Sequence, residues 1–308
     1  MRRAARSSPK SAELQPESAG EDLNLTDLGK PCQPEGVKVR IDLSGSAFSE
    51  VDRMGYAASF VSYLDEAKNQ FGIVKRTSYS LLSLQPTERV LDVGCGTGDD
   101  VREMAALVGA NGMAVGADKS ESMIAEARRR AHGCGLPVRF EVCEAEQLPW
   151  ESNYFDACRA DRLLQHVTNP GQTFQEFLRV LKPGGRLAVV DRDWGMIALD
   201  ASDDLTTRVV LDRAASGIRN RWIGRRLHGL FTMAGFNAVR VQTHCINISS
   251  FDIADMLLDL RVVAEHAINA GDVARQAGDA WLDDLLMRDR LGTFFATVTL
   301  FVVVGIKS

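Results

Sequence analysis

The sequence predicts an α/β protein built on a mostly parallel sheet covered by helices on both faces, and three observations carry that prediction. Short apolar runs with β-branched members, at Val90, Leu91 and Val93, at Met113 to Ala117, at Val138 to Val142 and at Arg186 to Val190, alternate with segments of helical periodicity, the pattern of successive βαβ units. The first run is apolar on both sides of the strand, as a strand buried on both faces must be. It opens into Gly94-Cys95-Gly96-Thr97-Gly98 and then a helix with Val101, Met104, Ala105 and Val108 at helical spacing. Such a strand–turn–helix unit aims free main-chain N–H groups at a polar or anionic ligand.

Composition narrows the class. The chain has 308 residues, 45% hydrophobic and 25% charged, which is ordinary for a globular protein with room for a large core. A net charge of -5 and a pI near 5.6 argue against a nucleic-acid surface, which needs a basic face. The six cysteines are scattered without a Cys-x-x-Cys pair, so neither a metal site nor a disulfide framework is expected, and a reducing, cytoplasmic setting is. No apolar run approaches the ~20 residues of a membrane span. Residues 1–47 mix Arg, Ser, Pro, Glu and Gly without apolar periodicity and are expected to be a flexible leader.

Residues 48–85 read as helices placed before the sheet, with Tyr56, Tyr63 and Phe71 as aromatics that either close over a ligand or pack the helices down. The glycine spacing, Gly-x-Gly-x-Gly, differs from the Gly-x-Gly-x-x-Gly of dinucleotide turns. Asp118 ends the second strand, where a carboxylate can accept hydrogen bonds from two vicinal ribose hydroxyls. Ser120 begins the following helix. The third strand runs into Cys143-Glu144-Ala145-Glu146-Gln147-Leu148-Pro149-Trp150, the fourth lies in YFDACRADRLLQHVTNP, and Lys182-Pro183-Gly184-Gly185 forms a turn before the fifth. Residues 196–235 form a helical connection to a sixth strand, Asn237 to Ile246. Then FDIADMLLDLRVVAEHAI and Asp279 to Met287 are helical, and TFFATVTLFVVVGI is a buried last strand.

VLDVGCGTG closely resembles the first motif of class I S-adenosylmethionine (SAM)-dependent methyltransferases, of the UbiE-like small-molecule type. CEAEQLPW resembles their third-strand segment, with Cys143, Glu144 and Trp150 replacing the usual glycine, aspartate and phenylalanine. RVLKPGG and the Phe155-Asp156 opening of the fourth strand resemble further family features. The resemblance implies a Rossmann-like seven-stranded sheet, parallel but for one antiparallel strand near the C-terminus, with SAM as cofactor. It implies cofactor contacts from Asp92, Gly94, Cys95, Gly96 and Gly98, from Asp118, Lys119 and Met123, from Glu144, Ala145 and Glu146, and from Asp161, Arg162 and His166.

SAM carries its own activation as a sulfonium, so orientation can supply on the order of 7 to 11 kcal/mol of the barrier, and a general base adds ~10²–10⁴-fold. His166 is the first candidate base because imidazole titrates near neutral pH; Asp191 and Asp193, at the end of the fifth strand, come next. Tyr56, Tyr63 and Trp194 are the substrate or lid candidates. The expected domain plan is a leader (1–47), a helical lid (48–85), a SAM-binding core (86–250), a helical insertion (251–291) that caps the site or forms a homodimer contact, and the last strand (292–308). The apolar insertion points to a hydrophobic small-molecule acceptor of secondary-metabolite type. The acceptor atom, oxygen, carbon or nitrogen, stays open, as do a non-methylating use of SAM and a macromolecular acceptor.

Overall fold

The structure is a computed structural model, and it describes residues 51–52 and 57–308. The leader and the lid candidate Tyr56 lie outside the described residues. Among the described residues eight strands form one sheet: β1 (Arg89–Val93), β2 (Met113–Asp118), β3 (Val138–Val142), β4 (Phe155–Asp161), β5 (Leu181–Arg192), β6 (Ala198–Leu199), β7 (Phe236–Ile248) and β8 (Ala296–Lys307). Nine helices accompany them among the described residues: α1 (Ala57–Leu82), α2 (Asp99–Val108), α3 (Glu121–Ala131), α4 (Pro170–Val180), α5 (Asp204–Ser216), α6 (Ile223–Ala234), α7 (Phe251–Leu258), α8 (Leu260–Asn269) and α9 (Arg275–Arg290).

The strands run β3-β2-β1-β4-β5-β8, with β7 and β6 also paired to β8. The first five pair in parallel, and β8 is antiparallel to β5, β6 and β7. The expected single antiparallel strand is therefore present. The eighth strand, two-residue β6, was not anticipated: after the short 3-10 turn Trp194–Met196 it meets Ala296 and Thr297 of β8, resuming the pairing that β5 leaves at Leu300. Strand order reverses between β1 and β4, which opens the crevice where ligands bind in open α/β sheets.

Each element follows from local chemistry. Helix α2 buries Val101, Met104, Ala105 and Val108, the spacing of one helical face. Ser120 caps α3 by accepting from the Met123 N–H, and Asn169 caps α4 ahead of Pro170. Helices α4 and α6 bring Phe174, Phe177, Leu227 and Phe231 against Leu91, Val93 and Leu187. On the other face Leu82, Val101, Met104, Ile124 and Ala127 pack with Val90 and Ala114.

Three boundaries differ from the sequence reading. The N-terminal helices are one helix, α1, with Gly72 inside it, because the apolar residues Phe60, Tyr63, Ala67, Phe71 and Val74 hold a single buried face across that glycine. Lys182 to Gly185 belongs to β5 as an irregularity in its pairing with β4. The insertion is three helices, α7 to α9, broken at Asp259, whose φ is 51°. Its apolar faces are part of one core: Phe251, Leu257, Leu260, Val263, Trp281 and Leu285 pack with Val210 and Ala214 of α5 and Val298 and Leu300 of β8.

Candidate functional site

The cavity lies at the carboxyl ends of β1, β2, β4 and β5 and has a volume of about 380 Å³. The glycine turn and Asp118 line one end. Tyr63 of α1, Trp194, Arg192, Ile218 and Leu257 line the other, and Val51, from the segment before α1, also faces it.

At the glycine end the turn is tied to β2. The Gly94 and Cys95 N–H groups donate to the Ala117 carbonyl at 2.7 and 3.0 Å. Asp118 accepts from the Gly96 N–H at 2.9 Å and the Ser120 N–H at 3.0 Å. Burial pushes the Asp118 carboxyl above its ordinary pKa, against the pull of those two donors. Gly96 has φ +50°, a backbone conformation that favours glycine, and a Cβ there would crowd Leu64 Cδ1 of α1 at 3.1 Å. Asp52 binds the start of α3, accepting from Ser120 Oγ, Glu121 N and Ser122 N, and this draws Val51 over the site.

Most residues expected to contact the cofactor share this cavity: Gly94, Cys95, Gly96, Asp118, Lys119, Met123, Glu144, Ala145, Glu146, Asp161, Arg162 and His166 all line it. Glu146 also accepts from the Thr168 and Asn169 N–H groups, bracing the loop after β4. Gly98 and Asp92 are placed elsewhere. A Cβ on Gly98 would lie 2.5 Å from Phe140 Cε1, so that glycine admits the packing of the third strand. Asp92 is buried below the turn and bound to Arg159 at 3.1 Å.

Arg159 is fully buried and holds three carboxylates: Asp92 at 3.1 Å, Asp100 at 3.2 Å and Asp161 at 2.8 Å. Its Nε donates to Ser78 Oγ at 2.8 Å, and Tyr79 stacks on it. Lys75 reaches Asp100 at 2.6 Å and Arg162 reaches Asp161 at 3.1 Å. Burial pushes Asp92 up, whereas at Asp100 burial is overcome by Arg159 and Lys75, which hold that carboxyl well below its usual range. Asp100, Asp161, Lys75 and Arg162 line the cavity above this base. From sequence Arg159, with Asp161 and Arg162, reads as a residue facing the methyl group or the substrate; the structure instead buries it as the centre of this cluster, for which a charged residue in the middle of an apolar strand was the available signal.

At the far end His166 lies on the loop after β4 and lines the cavity. Asn220 Nδ2 donates to the Leu164 and Val167 carbonyls at 2.8 Å each, gripping the main chain on both sides of it. Trp194 Nε1 donates to Gln165 Oε1 at 2.8 Å, so Trp194 and the His166 loop are locked together. Asp191 and Asp193, expected as bases, face away from the cavity. Asp191 accepts from the Gln165 and Arg192 N–H groups at 3.1 and 3.0 Å; Asp193 accepts from Arg225 Nη2 at 2.7 Å and caps the 3-10 turn through the Gly195 N–H. The two-residue period of a strand explains this, because it puts Asp191 and Asp193 on one face and Arg192 and Trp194 on the other. Of that second pair only Trp194 was anticipated.

The profile of a methyltransferase domain matches residues 84–220. An uncharacterized 37.1 kDa protein in transposon Tn4556 of Streptomyces fradiae is 38% identical over 288 residues, spanning 91% of this chain and 79% of its own length. The ubiquinone/menaquinone biosynthesis C-methyltransferase UbiE of Bordetella parapertussis is 34% identical over 179 residues, covering 58% of this chain and 66% of that protein. That of Ectopseudomonas mendocina is 40% identical over 119 residues, 38% of this chain and 46% of that one. The chain belongs to the class I SAM-dependent methyltransferases. It spans about half to two thirds of the UbiE proteins it matches.

The fold of this methyltransferase agrees with solved structures of the class. YcgJ of Bacillus subtilis superposes with a TM-score of 0.54 at 21% identity, covering 78% of this chain and 98% of that one. Phosphoethanolamine N-methyltransferase 2 of Haemonchus contortus, solved with SAM, gives 0.53 at 19% identity over 84% and 59%. SAM is the cofactor, and the site fits it: a side-chain-free turn at Gly96, an acid at the end of β2, and cations and carboxylates at Lys75, Asp100, Asp161 and Arg162 for an amino-acid end group. Among the described residues no helix is long and apolar enough to cross a membrane.

Proposed function

We propose that this methyltransferase moves a methyl group from SAM to a small molecule with a hydrophobic frame, of the polyketide, terpenoid or quinone-like kind found in secondary metabolism, in the cytoplasm. The observation that carries the reading is the continuity of the cavity from Asp118 and the glycine turn to Tyr63, Trp194, Ile218 and Leu257. Asp118 would hold the ribose, Glu144 and Ala145 the adenine, and the turn with Arg162 and Lys75 the methionine part. Helix α7 and the turn after it would close the acceptor end through Leu257 and Asp259.

The cofactor brings an activated methyl on a sulfonium. The protein's part is to align the acceptor and, for an acceptor that must lose a proton, to take that proton at His166. The loop grip by Asn220 and Gln165 fixes where the imidazole stands, which is how positioning lowers a barrier. The experiment is calorimetric titration of the full chain with SAM and with NAD, followed by methyl transfer from labelled SAM to a panel of apolar aromatic and polyene acceptors. Binding of SAM alone and label in an organic extract support the reading; binding of NAD, or label confined to protein or RNA, defeats it.

A further inference from the structure

Arg192 is 3% exposed, yet it lines the cavity. The other cations around the cluster have carboxylate partners: Arg159 has three, Lys75 has Asp100 and Arg162 has Asp161. Arg192 pairs with no carboxylate among the described residues. Its Nε has no hydrogen-bond partner, and its two terminal nitrogens make only long contacts, 3.4 Å to the Leu257 carbonyl and 3.5 Å to Tyr63 Oη. The guanidinium lies instead against aromatic faces, 4.9 Å from the Trp194 ring and 5.8 Å from Phe71. The nearest carboxylate on its own strand, Asp191, accepts from the Arg192 main-chain N–H and not from its side chain.

A guanidinium taken out of water without an anion is strongly unfavourable, and contacts with aromatic faces return only a part of that cost. A retained, half-satisfied charge in a cavity wall therefore marks where a ligand completes the set. Its place in the sheet says which ligand. Asp118 ends β2 and the glycine turn follows β1, while Arg192 ends β5, two strands beyond β1 in the order β2-β1-β4-β5. At ~4.8 Å per strand, Arg192 stands about 14 Å across the sheet from Asp118. Tyr63, Trp194, Ile218 and Leu257 give this end apolar and aromatic walls, Asp259 also lines it, and Arg219 adds a second, exposed cation.

We propose that Arg192 is the specificity residue of the acceptor end and that the acceptor is an apolar frame carrying a carboxylate, seated against the Arg192 guanidinium between Tyr63 and Trp194. This deepens the methyltransferase reading and rests on it. The planar fork of arginine matches a carboxylate with two parallel N–H bonds, and the Arg192 Nε, which has no hydrogen-bond partner among the described residues, is available for that pairing.

The test uses the full chain saturated with S-adenosylhomocysteine, titrated with two acid–amide pairs, 2-naphthoate with 2-naphthamide and decanoate with decanamide. We expect at least one acid to bind on the order of ten-fold more tightly than its amide. We expect Arg192→Met to bring that ratio near one with SAM affinity little changed, and Arg192→Lys to retain part of it. If neither acid binds better than its amide in the wild type, the proposal is overturned whatever the variants do. If Arg192→Met loses SAM as strongly as it loses the acid, Arg192 belongs to the cofactor's own carboxylate and the proposal is likewise overturned. Failure of the wild type to bind SAM at all removes the underlying reading, an outcome the SAM titration separates from the other two.

Discussion

The Gly96 N–H donates to Asp118 Oδ2 at 2.9 Å, so the turn after β1 and the acid ending β2 are a single unit. That carboxylate keeps lone pairs for a ligand while the turn holds its orientation. Asp118→Ala is expected to weaken SAM binding by on the order of ten- to a hundred-fold, the loss of charge-assisted hydrogen bonds, with the fold intact by circular dichroism. Asp118→Asn should fall between, because it keeps an acceptor but not the charge. Calorimetric titration with SAM reads both.

Gly98 makes the opposite prediction from the same motif. Its φ is +72°, and a Cβ would stand 2.5 Å from Phe140 and 3.0 Å from Ala127 Cβ. Gly98→Ala should destabilise the chain by about 2 to 4 kcal/mol through strain and overpacking, read as a lower denaturation midpoint. The affinity of the folded fraction for SAM should change far less than in Asp118→Ala, since Gly98 does not line the cavity.

Arg159 predicts a loss that no surface charge would give. Removing it leaves Asp92, Asp100 and Asp161 buried without their shared cation. Arg159→Met should therefore cost about 3 to 5 kcal/mol. Adding Asp92→Asn to that variant should restore part of the loss, because Asp92 is the carboxylate that burial already pushes up. Urea unfolding of the single and double variants measures the coupling.

Much of this was legible in the sequence, and the part that was not has a common physical cause. The succession of strands and helices, the glycine turn and Asp118 could be read because they depend on local spacing along the chain. Asp191 and Asp193 were chosen as bases for their residue type at a strand end, but the alternation of the strand turns both from the cavity and brings Arg192 in. The charge network around Arg159 joins Ser78, Asp92, Asp100 and Asp161 from four elements, which no spacing rule connects. The insertion reads as a separable cap only in sequence. In the fold Phe251, Trp281 and Leu285 share a core with β8, so its role is tested by changing Leu257 and not by deleting residues 251–290.

His166 is expected to matter far more to turnover than to cofactor binding. It lines the cavity beyond Gln165, on a loop held from both sides by Asn220. His166→Ala should lower methyl transfer ~10²–10⁴-fold when the acceptor must be deprotonated, while SAM affinity changes little. S-adenosylhomocysteine release with a competent acceptor measures the first and calorimetry the second. Unchanged release would mean that alignment alone suffices.

Asp191 gives a pH signature. It is fully buried, and burial pushes its carboxyl from 3.8 to about 7, against the hydrogen bonds from the Arg192 and Gln165 main chain and the charge of Arg192. A raised carboxyl pKa means that the folded chain binds this proton more tightly than the unfolded chain does. Between pH ~4 and ~7 the unfolded chain has released the proton and the folded chain has not, so raising the pH in that window destabilises the fold, by at most about 1.4 kcal/mol per unit. Below pH ~4 both states hold the proton and the penalty is absent; above pH ~7 it is complete. Asp191→Asn removes the titration but leaves an amide that can accept only one of the two main-chain bonds. The variant should therefore lose stability at pH 5 and regain it relative to the wild type as the pH rises to 8. Denaturant midpoints of the two proteins across that range decide it: a gap between them that stays constant would show that Asp191 is ionised throughout.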